Sequence, residues 1–246
     1  MARTRTAAPA RRSGPTPAPK PGPGRARLVA VKDQVHERLR FEIISFGLRP
    51  GERISESQLA TRFGVGIASV RAVLPKLVQE GLIQNKRRLG HVIAPITVQE
   101  VRDICQLREM IEPQAAELAA ARIDIARLEE IDARSKVHVP EGDRAAEMAS
   151  VLANKEFHVA IAAASGNERL AAWVAQLQDY SIRFQYLLRH SLHHDWEHSH
   201  EPIIDAMRRR DPAAAREQMR AHLLTGREHL MKAILGLPTL RDVNIG

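Results

Sequence analysis

The first regular pattern in the chain is a repeat of apolar residues at Val31, Val35, Leu39 and Ile43. This four-residue spacing predicts an amphipathic helix. A Ser-x-x-Gln capping box at Ser55 then opens a short helix, and a second helix follows a Gly-Val-Gly corner. Two strand-like runs joined by a basic turn come next. The predicted ranges of these four elements are 55–63, 67–80, 82–85 and 91–94. A helix, a helix-turn-helix and a basic hairpin in this order predict a winged helix.

Beyond Thr97 the periodic segments are all helical, with apolar residues three and four positions apart. The predicted helices are 98–121, one striped by Ile125, Leu128 and Ile131, then about 143–164, 168–189, 195–209 and 211–236. The last has Asp211 as its N-cap and Pro212 in its first turn. Short connections between helices favour antiparallel neighbours. We therefore predict a mainly α protein, with an N-terminal winged helix-turn-helix that carries a small β wing and a C-terminal antiparallel all-α bundle.

Composition narrows the class of protein. The chain has 246 residues, 44% of them hydrophobic, but only 4% aromatic, which favours helices over a β-sandwich. Its single cysteine, Cys105, excludes a disulfide scaffold and a zinc ribbon. No apolar run approaches the roughly 20 residues of a membrane span, and the first thirty residues lack the apolar stretch of a secretory signal. We expect a soluble, cytoplasmic protein without membrane partners.

Charge divides the chain into three parts. Residues 1–27 carry seven basic residues and no acid; residues 28–95 carry eleven basic and six acidic; residues 96–246 carry nineteen basic and twenty-three acidic. We predict a disordered basic tail (1–27), a DNA-binding domain (28–95), because a basic front suits a polyanion, and a separate helical domain (98–236). Six prolines and three glycines in the tail argue against a transit helix. The tail is either a solvated segment or a DNA-gripping arm.

The second helix of the helix-turn-helix has an exposed face suited to DNA. With Val70, Val73 and Leu77 turned inward, polar and small residues turn outward. Arg71 can donate paired hydrogen bonds to guanine or clamp a phosphate. The predicted DNA-binding residues are Ser57, Ser69, Arg71, Lys76, Arg87, Arg88 and Gly90, with Lys86 and His91 beside them in the hairpin. The alternatives are a structural hydroxyl at Ser57, a solvated hairpin turn, and a protein-contacting role for Arg71.

These residues resemble the winged-helix signature of GntR-type transcriptional regulators. The landmarks, which cover about 35–95, are Pro50-Gly51, Ser55 to Ala60, Gly64-Val65, Val70-Arg71, Leu74, Leu77 and Glu80-Gly81-Leu82. The family usually shows Ser-Arg-Thr-Pro where this chain has Gly66-Ile67-Ala68-Ser69, so Ile67 replaces an arginine that the family commonly uses on DNA. Pro75 is a second departure, and we expect a kink or a locally tightened helix there.

Histidines are concentrated in the helical part, with nine of the eleven after residue 137. His158, His200 and His222 fall on three predicted helices, and Asn154 precedes His158 by one turn. Three helices can aim imidazoles at one point, which is a common way to build a metal site; zinc, nickel, iron and copper all accept this ligand. His190, His193, His194 and His198 form a rival, more solvated cluster. Each of these histidines can also be a simple surface or core residue.

The same region resembles the FCD effector domain of FadR-type members of the GntR family. The matching landmarks are Leu107-Arg108-Glu109 with Glu112, the run from Asn154 to His158, Ser165-Gly166-Asn167, His200 with Ala206, and Asp211 leading to His222. The resemblance implies a divalent transition metal, zinc or nickel, held by Asn154, His158, His200 and His222 and completed by the carboxylate of an effector. Asn154 is a departure, since aspartate is usual there and an amide brings no charge.

Arg108 is the predicted effector contact, because an arginine that points into a bundle is costly unless it meets an anion. Its alternative role is a structural pair with Glu112. Arg183 and Tyr186 are further candidates for the same cavity. We therefore expect a homodimeric transcription regulator, and not an enzyme, whose affinity for double-stranded operator DNA responds to a small carboxylate. The alternatives are a metal-dependent enzyme, for which Glu156 is a poorly placed base, and a pure metal sensor.

Overall fold

The computed structural model of the protein describes residues 23–137, 140, 142–191 and 199–236. The N-terminal part is a winged helix, as predicted. Its elements are α1 (Pro23–Ile44), β1 (Arg53–Ile54), α2 (Glu56–Phe63), α3 (Ile67–Gln79), β2 (Ile83–Lys86) and β3 (Gly90–Ile93). The strands form an antiparallel sheet in the order β1-β3-β2. β3 therefore pairs with the hairpin strand β2 and also with β1, which the sequence pattern did not predict.

The C-terminal part is helical, and the mainly α fold class is confirmed. The helices are α4 (Val98–Ala119), α5 (Ile125–Ser135), α6 (Arg144–Ala164), α7 (Glu168–Ser191), α8 (Glu201–Arg208) and α9 (Pro212–Gly236). Helices α4 and α9 pack together, and so do α6 and α7 and α5 and α6. None of the helices in the described part of the chain is long and apolar enough to cross a bilayer.

Two predicted element boundaries were wrong. Helix α1 begins at Pro23, inside the segment 1–27 for which we predicted disorder, while residues 1–22 lie outside the described part. Helix α8 begins at Glu201, and Ser199 and His200 before it are not helical, although we predicted a helix over 195–209. Pro202 explains the late start of α8: it has no N–H to donate to the carbonyl of a preceding turn, so it suits a helix's first turn and not its middle.

Side chains and backbone at the helix ends fix the turns of the winged helix. Ser55 forms the predicted capping box: its hydroxyl accepts from the Gln58 amide, and the Gln58 side chain accepts from the Ser55 amide. Gly64 ends α2 in the left-handed region at φ 65°, and Gly81 follows α3 at φ 70°, as predicted for a glycine beyond a helix end. Helix α3 runs through Pro75 without a break.

The two parts of the molecule share one core. Leu39, Val70 and Leu77 of the winged helix belong to a buried cluster that also contains Ile182 and Tyr186 of α7. A Cβ atom added at Gly81 would lie 3.2 Å from a ring carbon of Tyr180, so the backbone after α3 approaches α7 closely. The winged helix is therefore seated directly on the helical domain, and a second core lies within that domain between α4, α5, α6, α8 and α9.

Candidate nucleic-acid interface and metal centre

Helix α3 presents a face of small and polar side chains to solvent. Its apolar side, which includes Val70 and Leu77, is buried against the rest of the winged helix. Of the predicted contact residues on this helix, Arg71 and Lys76 are exposed and Ser69 is half-buried. The first turn exposes Ile67, where the family commonly has an arginine. The hydrogen-bonding groups of the exposed face are therefore few, and Arg71 is the single arginine of α3.

Arg71 is held by an acid of the neighbouring helix. Its Nε atom donates to both carboxylate oxygens of Glu56, at 3.1 and 2.9 Å, and its Nη2 atom donates to Oε2 at 2.6 Å. Glu56 is the first residue of α2. The pKa of Glu56 is lowered, chiefly by the hydrogen bond from Arg71. The sequence analysis did not identify this pair, because residues fifteen positions apart meet only after α2 and α3 cross.

The other predicted contact groups of the helix-turn-helix lie at its surface. Ser57 is exposed, and its hydroxyl lies 3.1 Å from that of Ser55. The Lys76 ammonium lies 3.4 Å from Nδ1 of His36, which is itself bonded to Glu80. Both side chains remain available to a ligand on this face.

The hairpin between β2 and β3 carries the basic turn. Lys86, Arg87 and Arg88 are exposed, and within the described part of the chain none has an ion pair with an acid. Arg88 and Gly90 have φ values of 70° and 73°, and the Leu89 amide donates to the Lys86 carbonyl at 3.0 Å. A left-handed arginine is uncommon, so the turn has a specific, tight shape. It presents to solvent two guanidinium groups that form no ion pair or hydrogen bond with side chains of the described residues.

Three histidines meet inside the helical domain. His158 lies on α6, His200 immediately before α8, and His222 on α9; one ring nitrogen of each lies within 4.8 Å of the others. The ring centroids are 4.8 to 5.7 Å apart. His158 and His200 are almost completely buried, and Phe157 stacks on the His200 ring at 3.9 Å. The structure thus brings together the three histidines predicted from the sequence.

Carboxylates on two other helices orient the buried rings. Nδ1 of His200 lies 2.6 Å from Oδ1 of Asp132 on α5, and Nδ1 of His158 lies 2.7 Å from Oε2 of Glu112 on α4, a close contact without hydrogen-bond geometry. The Nε2 atoms of both rings are buried and have no hydrogen-bond partner among the described residues. Carboxylates at Nδ1 leave Nε2 as the ligand atom, as at many metal sites. The residues therefore fit a transition metal.

Burial of the two rings, and the neighbours of Glu112, set the protonation states that a metal site requires. It lowers the pKa of His158 and lowers that of His200 to about 4, although Glu112 and Asp132 oppose the effect. Burial alone would raise the pKa of Glu112, but the positive charge of Arg108 and the contact with His158 bring it down to about 2. Both rings are therefore neutral near pH 7, and the carboxylate of Glu112 is ionised.

Asn154 takes part in a chain of side-chain amides. Its Nδ2 atom donates to Oε1 of Gln185 at 3.0 Å, Gln185 donates to Gln178 at 3.2 Å, and Gln178 donates to Glu112 at 3.0 Å. Gln178 is fully buried. The sequence analysis missed these α7 amides, and it missed Asp132. A signal for Asp132 existed, since an acid one turn after Leu128 on the apolar face of α5 needs a partner.

The predicted effector residues lie in two places. The Arg108 Nε atom donates to Glu112 at 2.7 Å, which is the structural pair weighed above and lies beside His158. Arg183 instead donates to the carbonyl of Ala94 at 2.6 Å. The structure thus does not bring Arg183 to the histidines, because on α7 it lies off the face that carries Gln178 and Gln185.

Tyr186 is also distant from the histidine cluster: its hydroxyl donates to Glu147 at 2.8 Å and its ring packs against Phe46. Glu156, the base weighed for an enzyme, pairs with Arg127 and Arg134 on the surface. The rival cluster of His190, His193, His194 and His198 lies outside the residues whose side chains the structure describes.

Comparisons with known proteins match both parts of the chain. The gntR family of bacterial regulatory proteins matches residues 31–93, and the FCD domain matches residues 103–225. The chain is 29% identical over 217 residues to the HTH-type transcriptional repressor GlaR of Escherichia coli, covering 80% of this chain and 94% of that protein. It is 28% identical over 205 residues to the Nta operon transcriptional regulator of Aminobacter aminovorans, covering 80% and 92%. The solved structure of E. coli McbR/YncC has the same fold, with a TM-score of 0.67 at 20% identity, over 82% of this chain and 97% of that one.

Proposed function

The chain belongs to the GntR family of transcriptional regulators and carries an FCD domain, and from this premise we propose that a metal and a small carboxylate bound in the helical domain control its affinity for operator DNA. The observation that carries the proposal is the convergence of His158, His200 and His222 within 4.8 Å. Two of these rings have buried Nε2 atoms for which the described part of the chain offers no hydrogen-bond partner. A buried polar atom without a partner is costly, and a divalent ion removes that cost.

The proposed metal ligands are His158, His200 and His222, with Asn154 as an added oxygen ligand. Zinc and nickel both suit neutral imidazoles. Three neutral histidines leave the positive charge of a dication uncompensated by any direct ligand. The ionised carboxylates of Glu112 and Asp132, each in contact with a ligand ring, compensate part of it from the second layer. A carboxylate effector would supply the missing anionic ligand.

Arg108 is the proposed anchor of the effector. Its side chain is mostly buried and pairs with the carboxylate of Glu112, which also contacts His158. The guanidinium therefore lies next to the histidine cluster. Only its Nε atom has a hydrogen-bond partner among the described residues, which leaves its terminal amino groups for an anion. Paired bonds from a guanidinium to a carboxylate are strong in such a site.

The proposed DNA interface consists of the exposed face of α3 and the hairpin, with Ser57, Ser69, Arg71, Lys76, Arg87, Arg88 and Gly90 as contacts. Two copies of the chain would read the two halves of a symmetric operator.

Helix α4 supports a homodimer. Leu107, Met110 and Leu118 lie on one of its faces and are 42%, 60% and 50% exposed. A stripe of this kind on a regulator suits an isologous contact between two helical domains.

The test uses the full-length protein and a duplex selected by it from a random library. Operator affinity is measured by fluorescence anisotropy with Zn²⁺ or Ni²⁺, each with and without a panel of small mono-, di- and hydroxycarboxylates. We expect one metal–acid pair to change the affinity about 5- to 150-fold. His158→Ala should abolish that response and leave binding of the metal-free protein to DNA unchanged, while His229→Ala, at an exposed histidine of α9, should keep it.

Four outcomes bear on the proposal. An equal response of the His158→Ala variant and the parent would contradict it, as would the absence of any response to every metal–acid pair. A full response to the metal without any acid would replace the carboxylate by the ion itself as the signal. Loss of DNA binding in the metal-free His158→Ala variant would show that the histidine acts on the fold and not on signalling.

A further inference from the structure

The guanidinium of Arg71 is the main hydrogen-bond donor that α3 offers to a base. Of the other residues in its first half, Ser69 is half-buried, and Ile67, Ala68 and Ala72 are exposed and apolar. These three apolar side chains contact a thymine methyl or nothing, and they read no donor or acceptor pattern. Discrimination by hydrogen bonding in the major groove therefore depends on how Arg71 is held.

Glu56 holds one edge of that guanidinium. The edge formed by Nε and Nη2 faces the carboxylate through three contacts of 2.6 to 3.1 Å. Nη1 has no hydrogen-bond partner within the described part of the chain. The Arg71 side chain is 69% exposed, whereas that of Glu56 is 26% exposed. The pair thus directs the remaining donors of Nη1 and Nη2 outward and fixes the plane of the group.

Glu56 is itself fixed in position. It is the first residue of α2, directly after the Ser55 capping box, so its carboxylate lies near the positive end of the helix dipole. The residue two positions earlier, Ile54, pairs with His91 of β3. The acid is therefore anchored between the helix-turn-helix and the base of the wing, and its position does not depend on DNA.

A guanidinium whose charge is already compensated has less attraction for a phosphate. It keeps the geometry for two parallel bonds to the O6 and N7 atoms of guanine, which are neutral acceptors. We propose that Glu56 is a positioning residue for specificity, which directs Arg71 to read a guanine and keeps it from gripping the phosphate backbone. Phosphate contacts then fall to Arg87 and Arg88 of the hairpin, which have no acidic partner among the described residues.

If Arg71 contacts a base while the hairpin arginines contact phosphates, removal of the Glu56 charge should change non-specific affinity and base preference in opposite directions. Removing the charge of Glu56 releases Arg71 for a phosphate, so non-specific affinity should rise and its salt dependence should steepen. Fixing of the guanidinium plane is lost at the same time, so preference for the selected base should fall. A residue that merely stabilises the fold would lower both affinities together.

The experiment compares the full-length parent with Glu56→Gln, Arg71→Ala and Glu52→Gln. Glu52 is the matched control, because it is an exposed acid three residues before the Ser55 cap that bonds the Arg49 amide and not Arg71. Each protein selects duplexes from a random library without added effector, and its affinity for the selected and for a scrambled duplex is measured at several salt concentrations. Thermal unfolding by circular dichroism checks that each variant is folded.

We expect Glu56→Gln and Arg71→Ala to lose preference at the same guanine, with the ratio of specific to scrambled affinity falling about 10-fold or more. For Glu56→Gln, the slope of log affinity for scrambled DNA against log salt concentration should steepen by about 0.9 for each Arg71 that gains a phosphate contact. Glu52→Gln should keep the preference. The proposal is overturned if Glu56→Gln selects the same base as strongly as the parent, or if its salt slope matches that of Glu52→Gln.

These readouts are independent of the metal and the carboxylate. Failure of effector control would leave the base preference of the metal-free protein intact, and loss of that preference in Glu56→Gln would leave metal binding intact. The two proposals can therefore fail separately.

Discussion

The two buried histidine rings are contacted by acids on helices that carry none of the three clustered histidines. Asp132 of α5 contacts His200, and Glu112 of α4 contacts His158. Each acid has a second, cationic neighbour: Lys136 lies 2.7 Å from Asp132, and Arg108 lies 2.7 Å from Glu112. The negative charges are thus stabilised in a buried place, where they would otherwise be protonated. A metal bound to the rings would meet two pre-arranged, ionised carboxylates behind its ligands.

We predict that Asp132→Asn weakens metal binding about 10- to 100-fold, because the amide removes the charge that supports the His200 ring. The affinity for Zn²⁺ is measured by competition with a chromophoric chelator. Asp205→Asn is the matched control, since Asp205 lies on α8 close to His200 in sequence but pairs with Arg208 at the surface. Equal affinities for the Asp132→Asn variant and the parent would exclude Asp132 from the metal site.

The sequence allowed the histidine cluster to be predicted, but not the side chains that contact it. Histidines are rare enough that their spacing on helical segments, with the family resemblance, indicated a common point. Asp132 and Gln178 are ordinary residues of amphipathic helices, and their contacts follow only from how α5 and α7 pack against the elements that carry the histidines and Glu112. Arg71 was predicted as a reader, but its partner Glu56 depends on the crossing of α2 and α3.

At the scale of elements, α7 links the histidine cluster to the winged helix. On one face, Gln178 donates to Glu112 beside His158. The next residue, Asp179, accepts a hydrogen bond from Arg40 of α1 at 2.8 Å and one from Lys155 of α6 at 2.5 Å. Two consecutive residues of α7 thus contact Glu112, which lies beside the histidine cluster, and Arg40 of the winged helix. Any rotation or shift of α7 that accompanies effector binding changes both contacts.

We predict that Asp179→Asn lowers the coupling free energy between ligand binding and DNA binding by about 0.5–2 kcal/mol, because the ion pair that joins α7 to α1 is lost. DNA affinity is measured with and without Zn²⁺ and the acid chosen in the screen, and ligand affinity is measured separately. The control is Glu156→Gln, which removes a surface ion pair on α6. If the Asp179→Asn variant binds ligand and DNA normally and keeps the coupling free energy of the parent, then Asp179 does not contribute to the coupling between the two sites.

Elements with a long apolar stripe were predictable, and short ones were not. Helices α2 and α3 follow from the cap at Ser55 and from apolar spacing. Strand β1 has two residues, Arg53 and Ile54, which cannot show an alternating pattern and which pair only because β3 passes beside them. The start of α8 was misplaced because the polar, histidine-rich run before Glu201 was read as helical and the effect of Pro202 was overlooked.

At the scale of the molecule, the winged helix and the helical domain share one buried core. Met148, Val151, Ile182 and Tyr186 of the helical domain are buried in the same cluster as the apolar face of the winged helix. Arg183 crosses the junction to the carbonyl of Ala94, just after the wing. A shift of the helical domain would therefore move the winged helix with it, and in the proposed dimer its effect on operator binding would depend on the position of the second winged helix.

We predict that Met110→Glu converts a dimer to a monomer, because a two-fold contact through α4 brings two new carboxylates into one apolar interface. The mass in solution is measured by light scattering coupled to size exclusion. Affinity for the selected symmetric duplex should fall about 10²- to 10⁴-fold, since one head then binds without the effective concentration supplied by its partner. Leu152→Glu, at an exposed apolar residue of α6, is the control. A dimeric Met110→Glu variant with parental affinity would place the contact on another face, and a monomeric Leu152→Glu variant would point to α6.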